Sequence, residues 1–75
     1  MDIHSGLTAV FEQHGKDYIA YIEEIPGVNT QGATLEEARV NLREALELII
    51  EVRREIALEE QAGKKIIKEE IKMVA

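Results

Sequence analysis

Apolar positions change their period along this chain. Between Leu7 and Gln13 (Leu-Thr-Ala-Val-Phe-Glu-Gln) and between Tyr18 and Glu23 (Tyr-Ile-Ala-Tyr-Ile-Glu), β-branched and aromatic residues are dense and closely spaced, the habit of strands. His14-Gly15-Lys16-Asp17 lies between them and has turn chemistry, because Gly15 adopts positive φ without steric cost. The two strands are expected to form a hairpin across this four-residue polar break. Ile25-Pro26-Gly27 ends the second strand: Pro26 has no N–H for a ladder, and Gly27 permits a sharp reversal. Val28–Gln31 reads as a short third strand that stops at Gly32.

From Leu35 the spacing becomes helical. Leu35, Ala38, Leu42, Ala45, Ile49, Val52 and Ile56 follow one another at three or four residues, and Leu46 and Ile50 widen the stripe. Thr34-Leu35-Glu36-Glu37 fits a capping box, in which Thr34 accepts the Glu37 amide and the Glu37 carboxylate reaches back. Glu36 and Glu37 also suit the positive end of the helix dipole. No glycine or proline interrupts before Gly63, so the helix should run about 26–28 residues, roughly 40 Å. It is longer than any strand here, and part of it should overhang the sheet.

Residues 66–74 (Ile-Ile-Lys-Glu-Glu-Ile-Lys-Met-Val) alternate at period two, with Ile67, Glu69, Ile71 and Met73 on one side. They read as a final strand whose outward charges guard an edge, a short helix being the alternative. A right-handed crossover would return it beside the first strand. The expected fold is α+β in the order β-β-β-α-β: one domain over 1–75, a small sheet with one long helix across one face. One helix leaves the other face open, yet the second strand is apolar on both sides, with Ile19 and Tyr21 opposite in sense to Tyr18, Ala20 and Ile22. A second copy of the chain is the simplest cover, and small domains often need such help.

Composition narrows the function. The 75 residues carry a net charge of −6 and no cysteine, which excludes disulfides and thiolate metal sites. The acid excess is concentrated early: residues 1–33 hold five acids and one base, and residues 34–75 hold ten acids and eight bases. Such a chain is poorly suited to neutralising phosphates, so direct nucleic-acid binding is not expected, whereas a basic protein partner would be steered towards it. No apolar run approaches a membrane span and no signal peptide is recognisable. A cytoplasmic protein is expected.

Little in the chain suggests catalysis. A metal-dependent nuclease needs several converging carboxylates. Glu12 and Glu23 fall near strand ends and Asp17 in a turn, at spacings that force no convergence. His4 and His14 have no obvious acidic neighbour, Ser5 is the one serine, and no glycine-rich phosphate loop occurs. The chain is therefore read as a non-enzyme with no cofactor or metal site. The helix is less ordinary: Glu47, Glu51, Glu55 and Glu59 recur at i+4, a spacing at which like charges repel. Arg43, Arg53 and Arg54 relieve only part of this. The row is either a solvated face or a dock for a basic protein.

The run from Tyr18 to Leu46 resembles the core of the HicB antitoxins. The resemblance rests on Tyr18-x-Ala20, Pro26-Gly27, Thr30-Gln31-Gly32, Thr34-x-x-Glu37-Ala38, Asn41-Leu42 and Glu44-Ala45, in order and without gaps. It implies a partial ribonuclease H-like fold of β-β-β-α-β order and no catalytic activity. It also implies a homo-oligomer, dimer or higher, and a partner of the HicA kind, a small basic toxin that cleaves messenger RNA. Many HicB proteins add a helix-turn-helix or ribbon-helix-helix segment. Here the sequence ends at Ala75, immediately after the last expected strand, so operator binding by this chain alone is not expected. Partner contacts are expected at Glu23, Glu24, Pro26 and Gly27 around the turn, or at Glu47, Glu51 and Glu55 on the helix.

Overall fold

A computed structural model describes residues 6–71 and places three strands ahead of one helix: β1 (Ala9–His14), β2 (Asp17–Ile22), β3 (Asn29–Gly32) and α1 (Leu35–Gln61). The strands form one antiparallel sheet in the order β1-β2-β3. The expected small α+β architecture is thus present through its helix.

The hairpin is tighter than its sequence indicates. His14 pairs with Asp17, so only Gly15 and Lys16 form the loop. Gly15 has φ 62°, and among the described residues no residue other than glycine has positive φ. Positive φ at the first central position alone is the habit of a type II′ turn, whose twist matches that of the strands it joins. After β2 the chain reverses through Glu23–Val28, where Gly27 has φ 91° and the Ile25 amide donates to the Ile22 carbonyl at 3.3 Å.

Pairing register assigns the faces. Ala9 lies opposite Ile22, Phe11 opposite Ala20, and Tyr18 opposite Gly32, so these residues share the side covered by α1. The core is Ala20, Ile22 and Val28 against Ala38 and Leu42, with Phe11, Tyr18, Ile25, Ala45, Leu46 and Ile49 packed around it. On the other face Val10, Ile19 and Tyr21 are half-buried, and among the described residues no element lies over them.

The helix starts and stops where its signals stand. The Thr34 hydroxyl accepts the Glu37 amide at 3.0 Å, satisfying one of the free donors of the first turn. The Glu37 carboxylate does not return the bond, so the capping box is half formed. At the other end Gly63 has φ 77° and the Lys64 amide donates to the Gln61 carbonyl at 3.1 Å, which closes the last turn. Only the first half of α1 meets the sheet. Ile49 is the last residue packed against the core, so the twelve residues from there to Gln61 project for about 18 Å.

The expected fourth strand is not formed over residues 66–71. These residues carry no regular structure and are exposed, and the remainder of the expected strand, 72–74, lies outside the described residues. Alternation does not make a strand without an edge to pair with. The overhang ends about 18 Å past the sheet, so the residues just after Gly63 do not lie beside β1, their expected neighbour.

Helix and sheet meet at Gly32. A methyl carbon placed on Gly32 would lie 2.5 Å from the backbone nitrogen of Ala38 and 2.9 Å from its Cα. Those atoms belong to the helix backbone and cannot rotate aside. Gly32→Ala is expected to destabilise the fold by about 3 kcal/mol, the upper part of the range for overpacking. Gly6→Ala, which meets nothing within 4 Å, is expected to be neutral in the same urea-denaturation series.

Candidate partner-binding surfaces

The acidic turn is anchored to the start of the sheet. The Glu24 carboxylate accepts the Thr8 amide at 2.7 Å and the Thr8 hydroxyl at 2.6 Å. Beside it the Glu23 amide donates to the Thr8 carbonyl at 3.0 Å. Two oxygens gripping one residue is a bidentate, charge-assisted arrangement, and it holds the turn against the N-terminal end of β1. Glu24 therefore has a positioning role in the fold. The side chains of Glu23 and Pro26, and Gly27, are exposed.

The helix acids lie on a different side of the molecule. Glu51 is nine residues after buried Leu42, which is two and a half turns and hence opposite the core. Glu47, Glu51, Glu55 and Glu59 are all exposed, and no ion pair within 4.0 Å engages them among the described residues. The ion pair on α1 is Arg39 with Glu36, 3.4 Å apart and exposed; Arg43, Arg53 and Arg54 make none. The row begins level with the Glu23–Gly27 turn, because Leu46 lines the same groove as Leu7 and Ile22. It then runs outward along the overhang. The structure therefore does not merge turn and row into one patch.

Two features were missed in the sequence. The first is an open groove of about 320 Å³ between β1 and α1, lined by Leu7, Ala9, Phe11, Leu42, Arg39 and Arg43 among others. Its floor is apolar and its helix side is cationic, with the Arg39 guanidinium 5.9 Å from the centre of the Phe11 ring, within range of a cation–π contact. The i+4 pair Arg39 and Arg43 beside the apolar stripe was the available signal. The second is Asn41, whose side-chain amide donates to the Gln31 carbonyl at 2.9 Å. Asn41 is the one uncharged polar side chain in the packed half of α1, and that was its clue.

Among the described residues there is no group of three or more His, Cys, Asp or Glu side chains that could hold a metal ion. His14 does have an acidic neighbour, contrary to the sequence reading: its Nε2 lies 3.2 Å from Glu12 Oε2, since residues two apart on a strand share a face. Both are exposed. No described helix is long and apolar enough to cross a membrane.

Comparison with known proteins adds a family. The UPF0150-like family model matches residues 8–59, the span from the start of the sheet to near the end of α1. A UPF0150 protein of Thermotoga maritima is 45% identical over 47 residues, covering 60% of this chain and 63% of the relative. The chain thus spans somewhat less than two thirds of that relative's length. A UPF0150 protein of Synechocystis is 46% identical over 50 residues, covering 65% of this chain and 69% of the relative. No solved structure matches at a significant level.

The Asn41 bond is open to direct measurement. Asn41→Asp replaces the donor by a carboxylate facing the Gln31 carbonyl. At pH 7 it is expected to lower stability by about 1–2 kcal/mol, the lost bond plus the repulsion, read as a shift in the urea midpoint at unchanged slope.

Proposed function

The chain belongs to the UPF0150-like family, and from that premise we propose that it is a HicB-like antitoxin domain that binds and neutralises a small basic toxin of the HicA kind. The observation that carries this reading is the placement of the HicB-like run. Tyr18–Leu46 forms one continuous unit of β2, the Pro26-Gly27 turn, β3, the Thr34 cap and the packed half of α1. Three residues of the run have a fold reason there: Gly32 for the helix approach, Thr34 for the cap, Asn41 for the strand edge.

Charge supports the same reading. The chain's −6 and the unpaired row Glu47, Glu51 and Glu55 present a field that would attract and orient a basic protein. The function assigned is binding, with the toxin's active surface covered by contact and no reaction on this chain. A second reading, a homo-oligomeric regulatory or structural protein without a toxin, is favoured by the apolar residues Val10, Ile19 and Tyr21 on the open sheet face.

Co-expression with a HicA-type toxin separates the two. The antitoxin reading expects restored growth and a complex that co-purifies. Its dissociation constant should rise about tenfold or more between low and high salt, as exposed charge pairs are screened. Failure to rescue and to co-purify would favour the toxin-free reading. Reversing Glu47, Glu51 and Glu55 to lysine together should weaken the complex by about tenfold or more at low salt, at a few tenths to 1 kcal/mol per exposed pair. Unchanged affinity would move the contact to the Glu23–Gly27 turn.

A further inference from the structure

The two edges of the sheet are not treated alike. The Thr8 carbonyl accepts from Glu23, and hydrogen-bonded pairs alternate along an antiparallel ladder. The β1 positions bonded to β2 are therefore Val10, Glu12 and His14. Ala9, Phe11 and Gln13 point their backbone N–H and C=O groups outward. The same parity turns the Gln31 carbonyl of β3 outward, where Asn41 covers it. Nothing among the described residues pairs with the β1 edge, and the groove with Arg39 and Arg43 opens directly beside it.

The same molecule carries a segment of matching form. Residues 66–71 are unpaired, with Ile67 90% and Ile71 83% exposed. Ile67, Glu69 and Ile71 share one side of an extended chain, so two apolar side chains flank one carboxylate. That is the chemistry of the groove: an apolar floor with two guanidinium groups above it. Six residues of extended chain span about 20 Å, the length of six-residue β1.

We propose that this segment adds a fourth strand to the β1 edge of a second copy, with Ile67 and Ile71 in the groove and Glu69 facing Arg39 and Arg43. The exchange is mutual, giving a two-fold dimer. Reach argues for the second copy over the same chain. A return along the 18 Å overhang at about 3.3 Å per residue would use some six residues, so Ile66 and Ile67 would be spent in crossing. Two copies whose overhangs pack antiparallel have no such shortfall. The stretch from Ile49 to Gly63 is centred on Ile56, so the end of one helix falls beside Ile49 of the other, where the groove begins. The arrangement also covers Val52 and Ile56, which continue the core stripe past the sheet and are 39% and 49% exposed. The proposal does not rest on the toxin reading, and it is tested on the chain alone.

Sedimentation velocity and backbone amide exchange on the full chain decide it together. The expected result is a dimer in which the Ala9, Phe11 and Gln13 amides exchange slowly. Ile67→Lys with Ile71→Lys should then raise the dimer dissociation constant by about tenfold or more, as for loss of central apolar anchors. It should also release those three amides, while the far-ultraviolet spectrum stays native because both side chains are exposed in the single chain. Glu69→Arg, which preserves both isoleucines, should weaken the dimer in the same direction. A monomer overturns the proposal, whether the β1 edge amides are free or are protected by the chain's own segment. A dimer whose edge amides exchange freely, or one indifferent to all three substitutions, overturns it too.

Discussion

Everything in this small fold depends on how closely the helix can approach the sheet. Gly32 and Ala38 meet backbone to backbone, and fully buried Ala20 sits beside them. Small residues at the contact bring α1 near enough for Leu42 to reach Ile22 and Val28. Among the described residues the buried core is five residues, two of them alanines, with Phe11 and Tyr18 only partly buried at its margin. A domain of this size buries little, so its stability comes from approach distance more than from side-chain volume. The same contact sets the direction of α1. The helix leaves β3 at the hairpin end and crosses to the end where Leu7, Ile22 and the Glu23–Val28 turn lie, and the surplus length must project there.

That surplus explains the division between finished and unfinished parts. The β3 edge is closed by a side chain of the packed half of α1. The β1 edge and the groove are left to whatever the projecting half brings. Exposed Val52, Ile56, Ile67 and Ile71 are all features of the projection or of the segment after it. Unpaired edges and continuous apolar surface are hazards in a lone soluble domain.

Much of this was legible in the sequence because the signals were local. The strand-forming runs, Gly15 and Gly27 at reversals, the Thr34 cap and the Gly63 stop each depend on a few neighbouring residues. The helix from Leu35 to Gln61 follows from spacing alone. Where the sequence misled, the deciding interaction was distant. His14 and Asp17 look like turn residues until the register pairs them. Residues 66–71 alternate like a strand, but whether they form one depends on where a 27-residue helix delivers them. Among the candidate partner residues, Glu24 reads as one more surface acid, and only the fold brings Thr8 to its carboxylate across sixteen residues. Glu47, Glu51 and Glu55 were placed correctly on one exposed helix row, since i+4 spacing is itself a local rule. The groove was not legible, because it is formed by two elements that meet only in three dimensions.

The surfaces assigned to a toxin and to a second copy are chemically different and lie apart. The edge, the groove and the Val52–Ile56 stripe are apolar with cations at the rim, and they face the sheet side of α1. The row from Glu47 to Glu55 faces the opposite side and carries only acids. Apolar surface gains most from permanent burial, whereas an exposed acidic row gains most from a partner that arrives from solution and is guided by charge. Filling the groove with an isoleucine-bearing strand leaves the acidic row uncovered, and antiparallel pairing of the overhangs sets two such rows on the outside of one assembly. A dimer built through the groove would thus leave two acidic rows open to a basic partner.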